Sequence, residues 1–383
     1  MKNKVKHSIL LTGVTGLVGS HILFELLRKA TLNGEIFKIY LLTRGKGNKT
    51  GKERIEKLLQ NPYTPDFIKN ICQKNIESFI EYIYADINDA DLTDKIQSKV
   101  SSTERLYVIH SAGSVNLFNT SDAEKDVLHN NYNGTHNLIR SLKNYDYKFI
   151  FISTAFSSGK VDGALTSDYR KFYDNSCDAF RNPYEHYKNK LENEIINLCG
   201  SQNRPYQILR PSVVCGRMLE TPLYYTTKFD VIYGWTKFFW SLKQRGVNET
   251  VRVRVGSETR LNIVAVDYIA KVVSEVYNDD SVEFLNIVSE RSDSNRCFYK
   301  TMLNAMGIDN FIFVDDIPAD QTMVERTYYK LYDKVYGPYN NSISNEYDTA
   351  HLKSVIPDSM RTPPDYGQLA VFAMNHNFEE ASL

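Results

Sequence analysis

A glycine-rich turn, Thr12-Gly13-Val14-Thr15-Gly16-Leu17-Val18-Gly19, stands directly after an apolar run (Ile9-Leu10-Leu11) and directly before an amphipathic one at residues 20–29. Few folds use three glycines at that spacing between a strand and a helix. Gly13 gives the tight turn, Gly16 lets a ligand approach the backbone, and Gly19 lets helix pack on strand. This is the phosphate-cradling loop of a dinucleotide fold. The helix that follows turns its leading N–H groups and its positive dipole end toward the phosphates. Gly13, Thr15, Gly16, Leu17, Val18 and Gly19 are therefore candidate cofactor contacts. A second motif, Tyr184-Glu185-His186-Tyr187-Lys188, sets a tyrosine and a lysine four apart, hence on one helix face.

Around these motifs the first half of the chain alternates apolar strand-like runs with helical patterns. That predicts an α/β chain, a Rossmann-type doubly wound parallel sheet. Strands are expected at residues 8–12, 38–43, 79–85, 105–111, 148–153 and 206–210, with 284–288 returning to the same sheet. Helices are expected at 17–29, 52–60, 120–143 and 184–199. At 383 residues the chain exceeds the size at which one core stops growing. The expected division is a nucleotide-binding domain at 1–216, its sheet completed by about 256–290, with 217–255 and 291–383 forming a smaller, mostly helical substrate lobe. Tyr328, Tyr329, Tyr332, Tyr336 and Tyr339 follow a helical spacing. They read either as an aromatic face packed on a neighbouring lobe or as a surface that lines substrate or docks a partner.

Composition excludes other classes. Basic and acidic residues balance at 46 each, which argues against an electrostatic nucleic-acid or membrane binder. No apolar run approaches the roughly 18 residues of a membrane span, and the basic N-terminus lacks the layout of a signal peptide. Cys72, Cys177, Cys199, Cys215 and Cys297 are scattered and odd in number, as for reduced thiols of a cytoplasmic protein. Neither they nor His110, His129 and His186 have metal-ligand spacing, so no metal is expected; His186 could modulate its neighbours in the second motif.

The end of the second strand bears on cofactor choice. An acid there would grip the ribose hydroxyls of NAD. Thr43 and Arg44 stand in its place, with Lys46 and Lys49 close behind. A guanidinium pairs with a 2′-phosphate where a carboxylate would repel it, which favours NADP(H). Asp86 and Ile87 follow the third strand, where a carboxylate can meet the adenine amino group. The small residues Ser111, Ala112 and Gly113 end the fourth and leave room for the cofactor. Asn131 sits inside a helix, where its amide either contacts cofactor or braces backbone.

The chemistry falls on Thr154, Tyr184 and Lys188. Thr154 ends a strand at the crevice where open sheets bind ligands. A free tyrosine has a pKa of about 10. A lysine one turn away, with the positive nicotinamide, is expected to lower it toward a useful acid–base range. Thr154 would orient the substrate oxygen while hydride passes at the adjacent carbon. Residues 159–183 form a long polar segment expected to fold over the crevice.

Taken together these residues resemble the extended short-chain dehydrogenase/reductase superfamily. The glycine loop is similar to its TGxxGxxG, Tyr184 and Lys188 to its YxxxK, and residues 108–113 to its fourth strand. Residues 209–216 (LRPSVVCG) are similar to the RPxxVxG segment that lies against the nicotinamide, which makes Pro211, Ser212 and Val213 candidate cofactor contacts. Arg260 with Val266-Asp267-Tyr268-Ile269-Ala270 is similar to its late arginine element. In sugar-nucleotide members that arginine contacts a diphosphate; the alternative is an ion pair with Asp267 or another acid.

Within the superfamily the chain resembles most the thioester reductase and fatty acyl-CoA reductase branch, the male-sterility type. The likeness rests on Leu41-Leu42-Thr43-Arg44 with the basic insert at 52–59, on Ile152-Ser153-Thr154-Ala155-Phe156, and on Phe229-Asp230-Val231-Ile232-Tyr233-Gly234-Trp235. Ser114, Phe156 and Arg260 are candidate substrate contacts. The resemblance implies an NADPH-dependent reductase of an acyl thioester, giving aldehyde or alcohol. With no adenylation or carrier domain in the chain, the substrate would arrive on a free carrier protein or on coenzyme A. Members are often dimers through helices equivalent to 120–143 and 184–199. The alternatives are a sugar-nucleotide epimerase or dehydratase, a simple carbonyl reductase, and a non-catalytic NADP sensor.

Overall fold

The computed structural model describes residues 7–31, 37–72, 76–103, 105–161, 164–168, 177–342, 344–357 and 362–380. Seven strands form the central sheet: β1 (His7–Thr12), β2 (Phe37–Thr43), β3 (Ile80–Tyr84), β4 (Leu106–His110), β5 (Tyr147–Ile152), β6 (Tyr206–Pro211) and β7 (Phe284–Ile287). Their order is β7-β6-β5-β4-β1-β2-β3 and every pair is parallel. The chain reverses its direction of winding between β1 and β4, so a crevice opens there at the strands' carboxyl ends.

These strands read clearly in the sequence because parallel strands are covered on both faces and so become unbroken apolar runs. Ile9 and Leu11 enter one core together with the helix α1 (Leu17–Thr31), Trp235, Tyr328 and Leu369. Leu10, Val108 and Phe149 enter the other, against Leu138, Leu191 and Ile195. Beyond the glycine loop the helices that matter for the site are α2 (Gly51–Leu59), α3 (Ser121–Val127), α4 (Gly134–Ser141), α5 (Pro183–Ser201), α6 (Ile232–Gln244) and α7 (Val266–Val276). A pair of short parallel strands, Val213–Cys215 and Ile263–Ala265, extends the chain beyond β6.

One expected helix is interrupted. Residues 120–143 form α3 and α4 joined by a wide π-helical turn, Leu128–Asn133. Asn131 lies in that turn, buried. Its Oδ1 accepts the Ser114 amide at 2.6 Å and its Nδ2 donates to the Ser114 carbonyl at 2.9 Å. Of the two roles open for Asn131, the structure shows the brace. The tyrosine stripe is likewise split, between helices Met323–Leu331 and Asp333–Asn340. Tyr328 accepts the Trp235 indole N–H at 2.9 Å in the core, whereas Tyr336 and Tyr339 line a cavity. Of residues 159–183, positions 162–163 and 169–176 lie outside the described residues; Leu165 is buried and the Ser167 carbonyl accepts Arg210 Nη1. Among the described residues no helix is long and apolar enough to cross a membrane, and no cluster of metal-ligand residues is found.

Helix α1 packs on α7 around a buried carboxyl, Glu25. Burial raises it to about 7, against the opposing pull of Arg28 and Lys271. The sign follows from linkage: between pH 4.5 and 7 the unfolded chain gives up this proton first, so stability falls as pH rises through that window. Glu25→Gln removes the titration, and Arg28 keeps its ion pair with Glu220 at 2.7 Å. We expect the variant to gain in melting temperature relative to wild type at pH 8 and to differ little at pH 4. A difference independent of pH would refute the assignment.

Candidate active site

The glycine loop is built by contacts only glycine permits. Gly13 has φ +71°, and a Cβ there would lie 2.5 Å from the Ala112 nitrogen at the end of β4. A Cβ on Gly19 would lie 2.2 Å from the Gly13 carbonyl oxygen. A Cβ on Gly16 would meet one protein atom, the Gly13 oxygen, at 3.2 Å; otherwise this position opens onto the crevice. The loop, β4 and the end of β2 enclose a cavity of about 410 Å³ bordered by Gly13, Thr15, Gly16, Thr43, Arg44, Asp86, Ile87, Ser111, Ala112 and Gly113. All ten were candidate cofactor contacts.

Two of them pair with each other at the border of the cavity. Arg44, mostly exposed, is ion-paired with Asp86 Oδ2, and Asp86 Oδ1 accepts the Asn88 amide at 3.0 Å. The basic and acidic candidates thus satisfy each other. The guanidinium set into the cavity wall is that of Arg54. A capping box between Thr50 and Glu53 fixes the start of α2 and aims the next residue inward. Arg54 is buried; its Nη2 donates to Thr15 Oγ1 at 2.8 Å and its Nη1 to the Arg44 carbonyl at 2.9 Å. Its Nε is buried without a partner, and burial together with Arg44 lowers its pKa. A buried guanidinium with an unused N–H beside a helix N-terminus fits a phosphate. The sequence signal was present, since Arg54 lies in the basic insert, but no spacing singled it out.

A second cavity of about 220 Å³ adjoins the first. Leu17, Val18 and Gly19 border it at the first turn of α1, together with Ser114, Thr154, Phe156, Tyr184, Lys188, Pro211, Ser212 and Val213. Asn182 caps α5 by accepting the Glu185 amide at 3.1 Å, with Pro183 in the first turn, and this sets Tyr184 at the cavity. Thr154 and Tyr184 border the same cavity, and Thr154 acts on the Tyr184 hydroxyl to favour its phenolate, so the two side chains converge. Ser114 is held by Asn131 through its backbone and donates its hydroxyl to Asp126 at 2.6 Å.

The electrostatics depart from expectation. Tyr184 is raised, not lowered: its burial disfavours the phenolate, the Glu185 charge adds to this, and only the Thr154 hydrogen bond opposes it. Lys188 stands 6.0 Å from the Tyr184 ring centre and donates instead to the Ile152 carbonyl at 2.8 Å. Burial brings Lys188 down to about 8. The phenol therefore stays protonated at neutral pH. His110 bridges Thr12 Oγ1 at 2.7 Å and Thr135 Oγ1 at 2.9 Å, a structural role, and His186 stacks on Phe180.

Arg260 lies on the short strand Arg260–Leu261. It is exposed, and its guanidinium reaches the Ser292 carbonyl at 3.4 Å, while its neighbour Leu261 lines the cavity. Asp267 does not pair with it; its carboxylate accepts the amides of Met218, Leu219 and Glu220 and holds the turn after the RPSVVCG segment. The far wall holds two residues to which the sequence assigned no role and two from the tyrosine stripe. Asp230 and Val231 enter from the start of α6, with Tyr336 and Tyr339 behind. Val231 has φ +48°, a strained conformation for a β-branched residue. Asp230 faces the solvent-filled cavity yet is walled by protein, and that enclosure raises its pKa against the pull of Lys228.

The male sterility protein family model matches residues 11–273 of the chain. A Drosophila melanogaster protein named as a candidate fatty acyl-CoA reductase is 26% identical over 242 residues, 56% of this chain and 42% of that protein. The chain thus spans about two fifths of the length of the curated relatives it matches. Among solved structures, the terminal R domain from the myxalamid PKS-NRPS biosynthetic pathway superposes with a TM-score of 0.68 at 15% identity, covering 98% of this chain and 92% of that one. A UDP-N-acetylglucosamine 4-epimerase from Methanobrevibacter ruminantium superposes with a TM-score of 0.61 at 18% identity, covering 98% and 100%. The chain belongs to the male sterility protein family and is an NAD(P)-dependent extended short-chain dehydrogenase/reductase.

Proposed function

We propose that the chain is an NADPH-dependent reductase of acyl thioesters carried on a protein or on coenzyme A, with Thr154, Tyr184 and Lys188 as its catalytic residues. The observation that carries the reading is the convergence of the Thr154 and Tyr184 hydroxyls beside the glycine loop, under a wall that is mostly apolar. Val115, Leu117, Phe156, Val214 and Leu261 line that wall. A sugar would leave such a surface unsatisfied, and the arginine that reads the diphosphate in sugar-nucleotide members points outward here. Residues 217–255 and 291–380 would serve as the substrate lobe.

The cofactor would lie with its adenosine end beside Arg54 and its nicotinamide end against Pro211, Ser212 and Val213. When bound it supplies the hydride. Thr154 and Tyr184 hold the thioester carbonyl oxygen, and the negative charge that develops there is met by two donors. Tyr184 gives its proton to that oxygen, forming a hemithioacetal; the C–S bond then breaks to release thiol and aldehyde. In this direction the site needs an acid, and a phenol raised by burial is held in the donating form. The Lys188 ammonium compensates the phenolate left behind.

Loss of NADPH absorbance across acyl-CoA, acyl-carrier and aldehyde panels tests the reaction. Consumption on aldehydes alone would make it a carbonyl reductase, and retention of a nicotinamide without net turnover would make it an epimerase. We expect Tyr184→Phe to lower kcat by about 10²–10⁴-fold, the usual share of general acid catalysis, with NADPH binding near normal. The protonated Lys188 predicts kcat/KM declining as pH rises through about 8; a rate flat to pH 10 would count against it. Arg54→Ala should raise KM for NADPH far more than for NADH. Equal effects on both would assign Arg54 to the pyrophosphate rather than the 2′-phosphate.

A further inference from the structure

We propose that Thr227 and Lys228 form a second anion-binding face that holds the dinucleotide's pyrophosphate from the side opposite the glycine loop. This rests on reading the cleft as a nicotinamide dinucleotide site. The two cavities meet along Gly16, Ser111, Gly113, Ser114 and Lys228, the residues that border both. Lys228 is the one cation among them. A dinucleotide with its reactive ring in one cavity and its adenosine in the other must pass its pyrophosphate through that junction.

Thr227 supplies an independent observation. It borders the adenosine-side cavity, is only 5% exposed, and its Oγ1 has no hydrogen-bond partner among the described residues. Buried hydroxyls are normally satisfied, so an orphan on a cavity wall points to a ligand. The turn that carries it is fixed in place. Thr226 Oγ1 donates to the Lys228 carbonyl at 2.8 Å and accepts the Lys228 amide at 3.3 Å, while Tyr225 and Phe229 on either side are buried. Carboxylates also face this junction: Asp126 and Glu380 border the same cavity, Asp126 accepting the Ser114 hydroxyl, and Asp230 feels the Lys228 charge. Without an ammonium between them they would repel the incoming anion. The glycine loop offers amides and a helix end, and Lys228 adds the countercharge from the other wall.

The test is direct titration of NADPH fluorescence on wild type, Thr227→Val, Lys228→Met and Lys228→Arg. We expect the first two variants to weaken binding by roughly tenfold, the worth of one charge-assisted hydrogen bond. The loss should be equal for NADPH and NADH, with Lys228→Arg close to wild type. Binding of adenosine 2′-monophosphate, which lacks the pyrophosphate, should not change. Unaltered NADPH affinity in both Thr227→Val and Lys228→Met would overturn the proposal. So would unaltered NADPH affinity accompanied by a raised KM for acyl-CoA but not for acyl-N-acetylcysteamine, which would give Lys228 to a substrate phosphate. Failure of the wild type itself to bind NADPH would instead remove the reading of the cleft, and the clamp with it.

Discussion

Everything at the chemistry end hangs on one buried ion pair. Glu192 and Arg210 are each fully buried; Arg210 Nε lies 3.0 Å from both carboxylate oxygens and Nη2 lies 2.7 Å from one. Glu192 is one helical turn beyond Lys188 on α5, and Arg210 precedes Pro211 on β6. The same carboxylate accepts the hydroxyls of Ser153, beside Thr154, and of Ser157 at 2.7 Å. Arg210 also donates to the Ser167 carbonyl. Thr154, the helix that carries Tyr184 and Lys188, and Pro211 are thus keyed to one charge pair. Such a pair adds little net stability, because both ions are desolvated, but losing one partner costs on the order of 3–5 kcal/mol. Its value is register: α5 can meet the strand ends in one position only.

The glycine loop imposes the corresponding constraint on the cofactor end. The clash a Cβ on Gly19 would make with Gly13, and one on Gly13 with Ala112, means that α1 touches β1 and β4 at the level of the backbone. The first turn of α1 therefore arrives at the crevice with no side chain between it and the ligand. Thr12, at the end of β1, bonds His110 at the end of β4, and His110 bonds Thr135 on α4. That buried chain sets the width of the crevice where the two strands part. Burial pushes His110 down to about 3, so it remains neutral and does not add a charge beneath the phosphates.

Those two constraints also explain what was legible in the sequence. Strands buried on both faces and glycines demanded by backbone contact leave local marks, and so the sheet, the loop and the YxxxK helix were readable within a residue or two. Roles set by tertiary partners leave none. Arg44 borders the cavity paired with Asp86, and Arg54 reaches the same cavity from α2, whose start a capping box fixes. Arg260 matched a family element, yet the short strand that carries it presents Leu261 to the cavity and the arginine to solvent. Asp230 and Lys228 sat in or beside a motif already noted for its likeness. Nothing local distinguishes a residue before a strained Val231 from one on an ordinary surface loop. The π-helical turn at Leu128–Asn133 is invisible for the same reason: its cause is the Ser114 backbone, seventeen residues earlier in the chain.

The field at Tyr184 is the most informative, because part of its cause lies outside the helix that carries it. A lysine beside a tyrosine suggests a phenol tuned downward, suited to taking a proton from an alcohol. Here burial dominates and Lys188 spends its hydrogen bond on the Ile152 carbonyl, while Glu185 and Asp230 add negative potential around the phenol. A phenol in that field gives up its proton only when something nearby makes the phenolate tolerable. The field around Tyr184 therefore keeps the phenol protonated, and it does so through Asp230 on the wall facing α5 as well as through Glu185 on α5 itself.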